Sequence, residues 1–345
     1  MATSIPLSSR IRGSLYGLAI CDALGGPVEF KARGSFPLVT SMLRNENFDL
    51  PPGYFTDDTS MALCLAQSLL DNDGETNIVD QVSKYIAWWQ KGYMSAAGYC
   101  FDIGMTTQNA LGLWTSSLGV KLGQLKPDSP AVRDALPAVE QKIISRFSDD
   151  SFCGNGSLMR LAPVALIGKT EAQVVALAAD SSRTTHPHPR CVDACKLHAA
   201  LIYQALNGAT KADLAAQLAN AVKSSASTTG VNSVEPALRE RLQEYHSLKE
   251  WQTKRKSEIW STGYVVDSFE AALWAFFNGD GFEQGAILAV NLGDDADTIG
   301  AIYGGLAGAF YGAEAIPQSW LEALKRKDLV QGVLQQILAY RNIRD

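Results

Sequence analysis

Two short runs concentrate the carboxylates and hydroxyls best spaced for chemistry: Thr56-Asp57-Asp58-Thr59 and Asp294-Asp295-Ala296-Asp297-Thr298. Each directly precedes a segment with helical apolar spacing. One Asp or Thr from each run would suffice as an N-cap, satisfying free backbone N–H groups and complementing the helix dipole. Capping uses one side chain, whereas the first run crowds two carboxylates with two hydroxyls, and the second three carboxylates with one hydroxyl. Carboxylates packed this closely repel unless a cation neutralises them. Carboxylate and hydroxyl oxygens are hard ligands suited to Mg²⁺, Mn²⁺ or Ca²⁺, while Zn²⁺ favours His and Cys. The histidines (His186, His188, His198 and His246) lack zinc-helix spacing, although His186-Pro187-His188 leaves open a lone metal site. Far apart in the chain, the two hard-ligand runs are able to converge on one binuclear site.

The elements that would bring them together are helices. Apolar residues recur at helical spacing over Ser60–Leu70, Val79–Trp89, Leu161–Ile167, Ala172–Ala179, Val192–Leu206 and Ala212–Val222. The same period runs through Val265–Phe277, Phe282–Val290, Ile299–Tyr311 and Trp320–Tyr340. Alternating β-branched runs bounded by hairpin turns are missing, so an all-α fold is expected. Gly300, Gly304, Gly308 and Gly312 recur every fourth residue, as do Gly13, Gly17, Cys21 and Gly25. Each interior glycine costs roughly 0.5–1 kcal/mol of helix stability, and spacing of four aligns them on one face. Two central helices in close contact are the expected return, each adjoining an acidic group. Lys223–Ser233 reads as a loop and Pro236–Lys256 as a charged amphipathic helical segment; neither resembles a linker, so residues 1–345 are expected to form one domain.

Composition narrows the class. The chain has 345 residues, 46% apolar and 19% charged, which excludes a disordered tail, a collagen-like fibre and a disulfide-stapled mini-protein. A net charge of −6 without a basic run excludes a general nucleic-acid binder. Cys21, Cys64, Cys100, Cys153, Cys191 and Cys195 contain no CxxC pair and are expected to be reduced. No signal-like stretch opens the chain and its longest apolar run is too short for a bilayer, so a soluble cytoplasmic protein is expected.

Five segments together resemble the ADP-ribosylglycohydrolases: GSLYGLAICDALGGPVEF (13–30), YFTDDTSMAL (54–63), FDIGMTTQNAL (101–111), GNGSLMRLAPVAL (154–166) and NLGDDADTIGAIYGGLAGAFYG (291–312). SSRTTHPHPRCVDAC (181–195) and GYVVDSFEAALWAF (263–276) also fit, and no motif position is substituted. The helical isoprenoid synthases are a weaker match, because DDTSM lacks the third acid of their DDxxD motif.

The resemblance implies a compact all-α fold around a central cleft holding two Mg²⁺ ions, with Mn²⁺ as a substitute. Carried over by position, Thr56, Asp57 and Asp58 would be ligands from one side, and Asp295, Asp297 and Thr298 from the other. Asp294 would be an outer or capping residue. Glu29 matches a family glutamate beside the metals, and Glu29 and Asp58 are the catalytic candidates, their acid and base roles unassigned. The implied reaction cleaves the bond at the anomeric carbon of an ADP-ribosyl group, through an oxocarbenium-like state. Gly154, Asn155, Gly156 and Ser157, read as a loop feeding a helix N-terminus, would grip the diphosphate. Met159, Asp102, Gly104, Thr107, His186 and Tyr264 are further substrate-binding candidates, with Asp102, Gly104 and Thr107 on a loop. The expected substrate is an ADP-ribosylated protein or small ADP-ribosyl compound, releasing ADP-ribose, with no nucleic acid, no membrane and a monomeric state. Arginine is the favoured linkage; other linkages and a non-catalytic ADP-ribose binder remain alternatives.

Overall fold

The computed structural model describes residues 5–118, 129–223 and 234–343. Among them the chain forms sixteen α-helices. The first eight are α1 (Leu7–Gly25), α2 (Asp57–Asp71), α3 (Ile78–Lys91), α4 (Met105–Ser117), α5 (Pro130–Arg146), α6 (Pro163–Ile167), α7 (Glu171–Arg183) and α8 (Pro189–Leu206). There follow α9 (Lys211–Lys223), α10 (Pro236–Leu242), α11 (Leu248–Thr253), α12 (Val265–Asn278), α13 (Phe282–Val290), α14 (Ala296–Tyr311), α15 (Gln318–Ala323) and α16 (Lys327–Tyr340). Among the described residues, β pairing is confined to two isolated bridges, Asn45 with Leu50 and Gly154 with Tyr264. The fold is all-α, as the periodicity predicts.

At the centre α1 lies directly on α14, and the glycines explain how. A Cβ placed on Gly304 would stand 2.1 Å from the Gly17 carbonyl oxygen, one on Gly308 1.9 Å from that of Gly13, and one on Gly300 2.4 Å from that of Cys21. The two backbones touch, which no residue with a side chain permits. Every residue of α1 from Gly13 to Gly25 is buried except Tyr16. Around this pair pack α2, α8, α12 and α13, so the seam fixes where the N-termini of α2 and α14 meet. Gly312 closes the stripe as the C-cap of α14 at φ 79, its backbone 2.7 Å from where a Gly13 Cβ would lie.

Several boundaries depart from the sequence reading. Trp320–Tyr340 is two helices, because the Lys325 amide donates to the Gly53 carbonyl at 2.8 Å and Arg326 adopts φ 48. Pro236–Lys256 also breaks: Ser247 starts α11 by accepting from the Lys249 amide, and the Tyr245 ring stacks on Trp251 at 3.6 Å. Helices α4 and α5 were not legible; α4 buries only Thr107, Ala110, Leu111 and Trp114, and α5 carries Pro137 in its interior. The loop expected at Lys223–Ser233 lies, beyond Lys223, outside the described residues. All six cysteines are free thiols, as expected. No helix among the described residues is long and apolar enough to cross a membrane.

Candidate active site

A cleft of about 660 Å³ opens over the N-terminal ends of α2 and α14. Glu29, Asp57, Asp102, Gly104, Thr107, Gly154, Asn155, Gly156, Met159, His186, Asp295, Asp297 and Thr298 line it, together with Phe30, Met105, Thr262 and Gly263. Segments from both ends of the chain and its middle therefore meet in one place. None of the described residues lining it is a lysine or arginine.

The organiser of the acidic floor is Asp22, which sequence reasoning missed. It is fully buried within α1. Its Oδ1 accepts from the Thr56 amide and hydroxyl, both at 2.9 Å; its Oδ2 accepts from the Thr59 amide at 3.0 Å and from the Thr59 hydroxyl. Another helix thus caps α2, and Thr56 makes no side-chain cap of its own. Capping is removed as an explanation for Asp57 and Asp58. Asp295, the N-cap of α14, likewise makes no side-chain cap bond; its Oδ2 accepts from Asn155 Nδ2 at 2.6 Å. The signal available was a lone carboxylate in an apolar, glycine-faced helix, since a buried charge without a partner is costly.

The carboxylates fall into two adjoining groups that share one member. Oxygens of Asp22, Asp58 and Asp297 lie within 4.8 Å of one another, as do those of Glu29, Asp295 and Asp297. Glu29 Oε2, Asp58 Oδ1 and Asp297 Oδ1 are buried without any hydrogen-bond partner. Burial, then the charge of its neighbours with Asp297 foremost, holds the Glu29 carboxyl far above the usual range. The same causes raise Asp57, Asp58 and Asp297 well above it. Burial pushes Asp22 up to about 6 against the pull of its four hydrogen bonds, and burial with the Asp295 charge brings Asp102 to about 6. Buried carboxylates with unpaired oxygens and no protein cation are a donor set that fits hard divalent ions.

Asp294 does not cap α14. At φ 55 it faces Phe30, itself at φ 62. The Phe30 amide donates to the Asp294 carbonyl at 2.7 Å, and the Asp294 amide donates to Lys31 O at 2.8 Å. This latch pins Glu29 beside the second acidic run, and Asn47 Nδ2 adds a bond to the Glu29 carbonyl at 3.1 Å.

The Gly154–Ser157 loop does not sit at a helix N-terminus: α6 begins only at Pro163 and is five residues long. The β-bridge to Tyr264 shapes it instead, through Asn155 N to Gly263 O at 3.1 Å and Val265 N to Cys153 O at 3.0 Å. Gly156 is required by crowding, since a Cβ there would stand 2.8 Å from His186 Cε1 and 3.0 Å from Thr107 Oγ1. Ser157 turns away from the cleft; it is fully buried, and its hydroxyl bonds Ser182 Oγ at 2.9 Å. Tyr264 also lies outside the cleft, its ring 5.7 Å from the Arg190 guanidinium. Thr107 is in the first turn of α4, not on a loop, while Asp102 and Gly104 precede that helix. Thr262, Gly263 and Phe30 line the cleft without having been foreseen.

A third group, Asp150, Cys153 and His188, lies apart from the cleft. His188 Nδ1 accepts from the Arg190 amide at 3.1 Å, so in the neutral ring Nε2 carries the proton, which it presents to Asp150 at 3.1 Å. That leaves no lone pair for an ion, and the His186-Pro187-His188 metal site is not formed.

A sequence model of the family described as ADP-ribosylglycohydrolase matches residues 3–344. The chain is 35% identical to the ADP-ribosylarginine hydrolase Tri1 of Pseudomonas putida (strain GB-1), over 95% of this chain and 77% of that one. It is 28% identical to the ADP-ribosyl-[dinitrogen reductase] glycohydrolase of Rhodospirillum rubrum, over 94% and 93%. Among solved structures, an ADP-ribosylglycohydrolase-related protein complex superposes with a TM-score of 0.75 at 35% identity, covering 97% of this chain and 98% of that one.

Proposed function

Because the chain belongs to the ADP-ribosylglycohydrolase family, and is thereby an ADP-ribosyl glycohydrolase, we propose that it removes mono-ADP-ribose from protein arginine with two Mg²⁺ ions as cofactor. The observation that carries the metal reading is the set of partnerless buried oxygens on Glu29, Asp58 and Asp297 in two acidic groups joined at Asp297. Thr56, Asp57 and Asp58 would hold the ions from the α2 side, and Asp295, Asp297 and Thr298 from the α14 side. When bound, such ions orient ribose hydroxyls, supply Lewis acidity and lower the pKa of water. The arginine reading is supported by the name of the relative at 35% identity, an ADP-ribosylarginine hydrolase.

In the reaction, water adds to the anomeric carbon, the bond to the guanidino nitrogen breaks, and that nitrogen leaves with a proton. Glu29 is the group better placed to move a proton: it lines the cleft and keeps Oε2 free of hydrogen bonds. Asp58 is fully buried, its Oδ2 2.9 Å from a Thr56 hydroxyl whose one hydrogen Asp22 takes, which suits a fixed ligand. Asn155 Nδ2 steadies Asp295 from the substrate side of the cleft. The Gly154–Gly156 backbone, with Thr107 and His186 close behind it, would receive the diphosphate, and Asp102 with Gly104 would lie near the distal ribose or phosphate, Asp102 within reach of the Asp295 charge. We further take the chain as one domain, since the seam joins its first helix to α14.

The test is a panel of arginine-linked, serine-linked and phosphate-ester ADP-ribosyl substrates, assayed with Mg²⁺ and with EDTA. Fastest release from arginine, abolished by EDTA and restored by Mg²⁺, is expected. Faster release from serine would overturn the linkage, and indifference to EDTA would overturn the metal reading.

A further inference from the structure

One charged group near the cleft takes no part in the acidic floor. Arg160 is fully buried, and among the described residues no carboxylate pairs with its guanidinium. Its Nη1 donates to the Gly156 carbonyl at 3.0 Å, and its Nη2 to Thr185 Oγ1 at 2.8 Å, with longer contacts to Ser181 O and Thr184 Oγ1. The plane lies 4.6 Å from the Tyr85 ring centre. A buried cation without a counter-ion is expensive, so its place calls for a reason.

The next link supplies one. Thr185 Oγ1 lies 2.8 Å from His186 Nδ1, and Thr185 is fully buried. Arg160 is a donor only, so the hydroxyl oxygen accepts from it and its single hydrogen is free to point at Nδ1. If Nδ1 carried the proton instead, the hydroxyl would accept twice and its own hydrogen would have no acceptor. The network is satisfied with Nδ1 accepting and Nε2 protonated. His186 lines the cleft, with Nε2 3.2 Å from where a Gly156 Cβ would lie. The backbone is fixed as well: His186 N donates to Ser182 O at 2.7 Å, and Ser182 Oγ donates back to His186 O at 2.9 Å.

We propose that Arg160 and Thr185 are positioning residues that lock His186 as an Nε2–H donor to the diphosphate of the substrate, the relay running Arg160, Thr185, His186. The inference rests on the nucleotide reading above and assigns functions to two residues outside it. The Gly156 carbonyl, drawn inward by the same guanidinium, keeps its oxygen away from the incoming anion. Burial, with the Arg160 charge adding to it, pushes the His186 imidazole down to about 3, in keeping with a ring that stays neutral.

The experiment is ¹⁵N imidazole spectroscopy of the full-length protein, with the His186 signals identified by their loss in His186→Asn. The free protein should show the Nε2–H pattern, and the proton-bearing nitrogen should shift on addition of ADP-ribose or ADP but not of adenosine. Thr185→Val should mix the tautomers and weaken ADP-ribose binding about tenfold, the scale of one hydrogen bond to a charged acceptor. Mn²⁺ binding should stay unchanged, and Thr185→Ser should restore tautomer and affinity together. An Nδ1–H signal in the free protein overturns the proposal even if Thr185→Val does not fold. So does ADP-ribose binding that leaves the His186 signals still. Failure of ADP-ribose to bind at all would overturn the nucleotide reading beneath it.

Discussion

Glu29 and Asp22 show how differently two buried carboxylates serve one cleft. Glu29 keeps an oxygen without a partner and faces the cleft. Glu29→Gln should lower kcat by ~10²–10⁴-fold, the usual range for a lost general acid or base. ADP-ribose affinity, measured by calorimetry, should hold within about threefold because the diphosphate grip lies elsewhere; turnover close to wild type would remove Glu29 from the mechanism. Asp22 is saturated by four donors instead. Asp22→Asn presents an amide NH₂ to groups that themselves donate, leaving buried donors unmatched at about 1–3 kcal/mol each. A lowered melting temperature and loss of tight divalent binding should appear together, whereas stable protein with normal Mn²⁺ affinity would show that Asp22 does not shape the site. Glu29 could be found from its motif. Asp22 could be flagged as a lone acid in an apolar helix, but its partners could not be named, since they are 34 and 37 residues away.

Among elements, the seam between α1 and α14 governs the rest. Gly304→Ala would raise intrinsic helix propensity by roughly 1 kcal/mol, yet the added methyl would stand 2.1 Å from the Gly17 carbonyl oxygen. Backbone cannot yield as a side chain tip can, so overpacking, worth about 1–3 kcal/mol or more, should win. Chemical denaturation is expected to show a net loss of stability, and a gain would mean that the helices part freely. The seam was legible because four-residue spacing of glycine has few other uses in a helix. Helices α4 and α5 were not, since their buried faces are narrow and α5 holds a proline. The placement of the Gly154–Ser157 loop was misread for a related reason: its conformation comes from an isolated bridge to the distant Tyr264, not from the helix that follows it in sequence.

For the molecule as a whole, the crowded floor couples stability to pH and to divalent ions. Asp22 and Asp102 rise from 3.8 to about 6 on folding. Between those values the folded protein holds protons that the unfolded chain has released, so ion-free protein loses stability as pH rises through that window. Burial and the charges of their neighbours raise Glu29, Asp57, Asp58 and Asp297 as well, which acts in the same direction. The melting temperature in EDTA should therefore fall as pH rises from about 4 through about 6. Saturating Mg²⁺ should cancel the fall and release protons as it binds, which calorimetry in two buffers of different ionisation enthalpy would register. A melting temperature flat in EDTA would mean that the carboxylates do not repel. The seam has a further consequence during synthesis. Helix α1 is complete at Gly25, but its partner α14 is complete only at Tyr311. At ~5–20 residues per second the wait is roughly 15–60 s. Throughout that time the nascent chain carries a bare glycine face and an Asp22 without its threonine donors properly placed. Inactivity of any chain released before Tyr311, which would lack the partner of α1, is built into the order in which the protein is made.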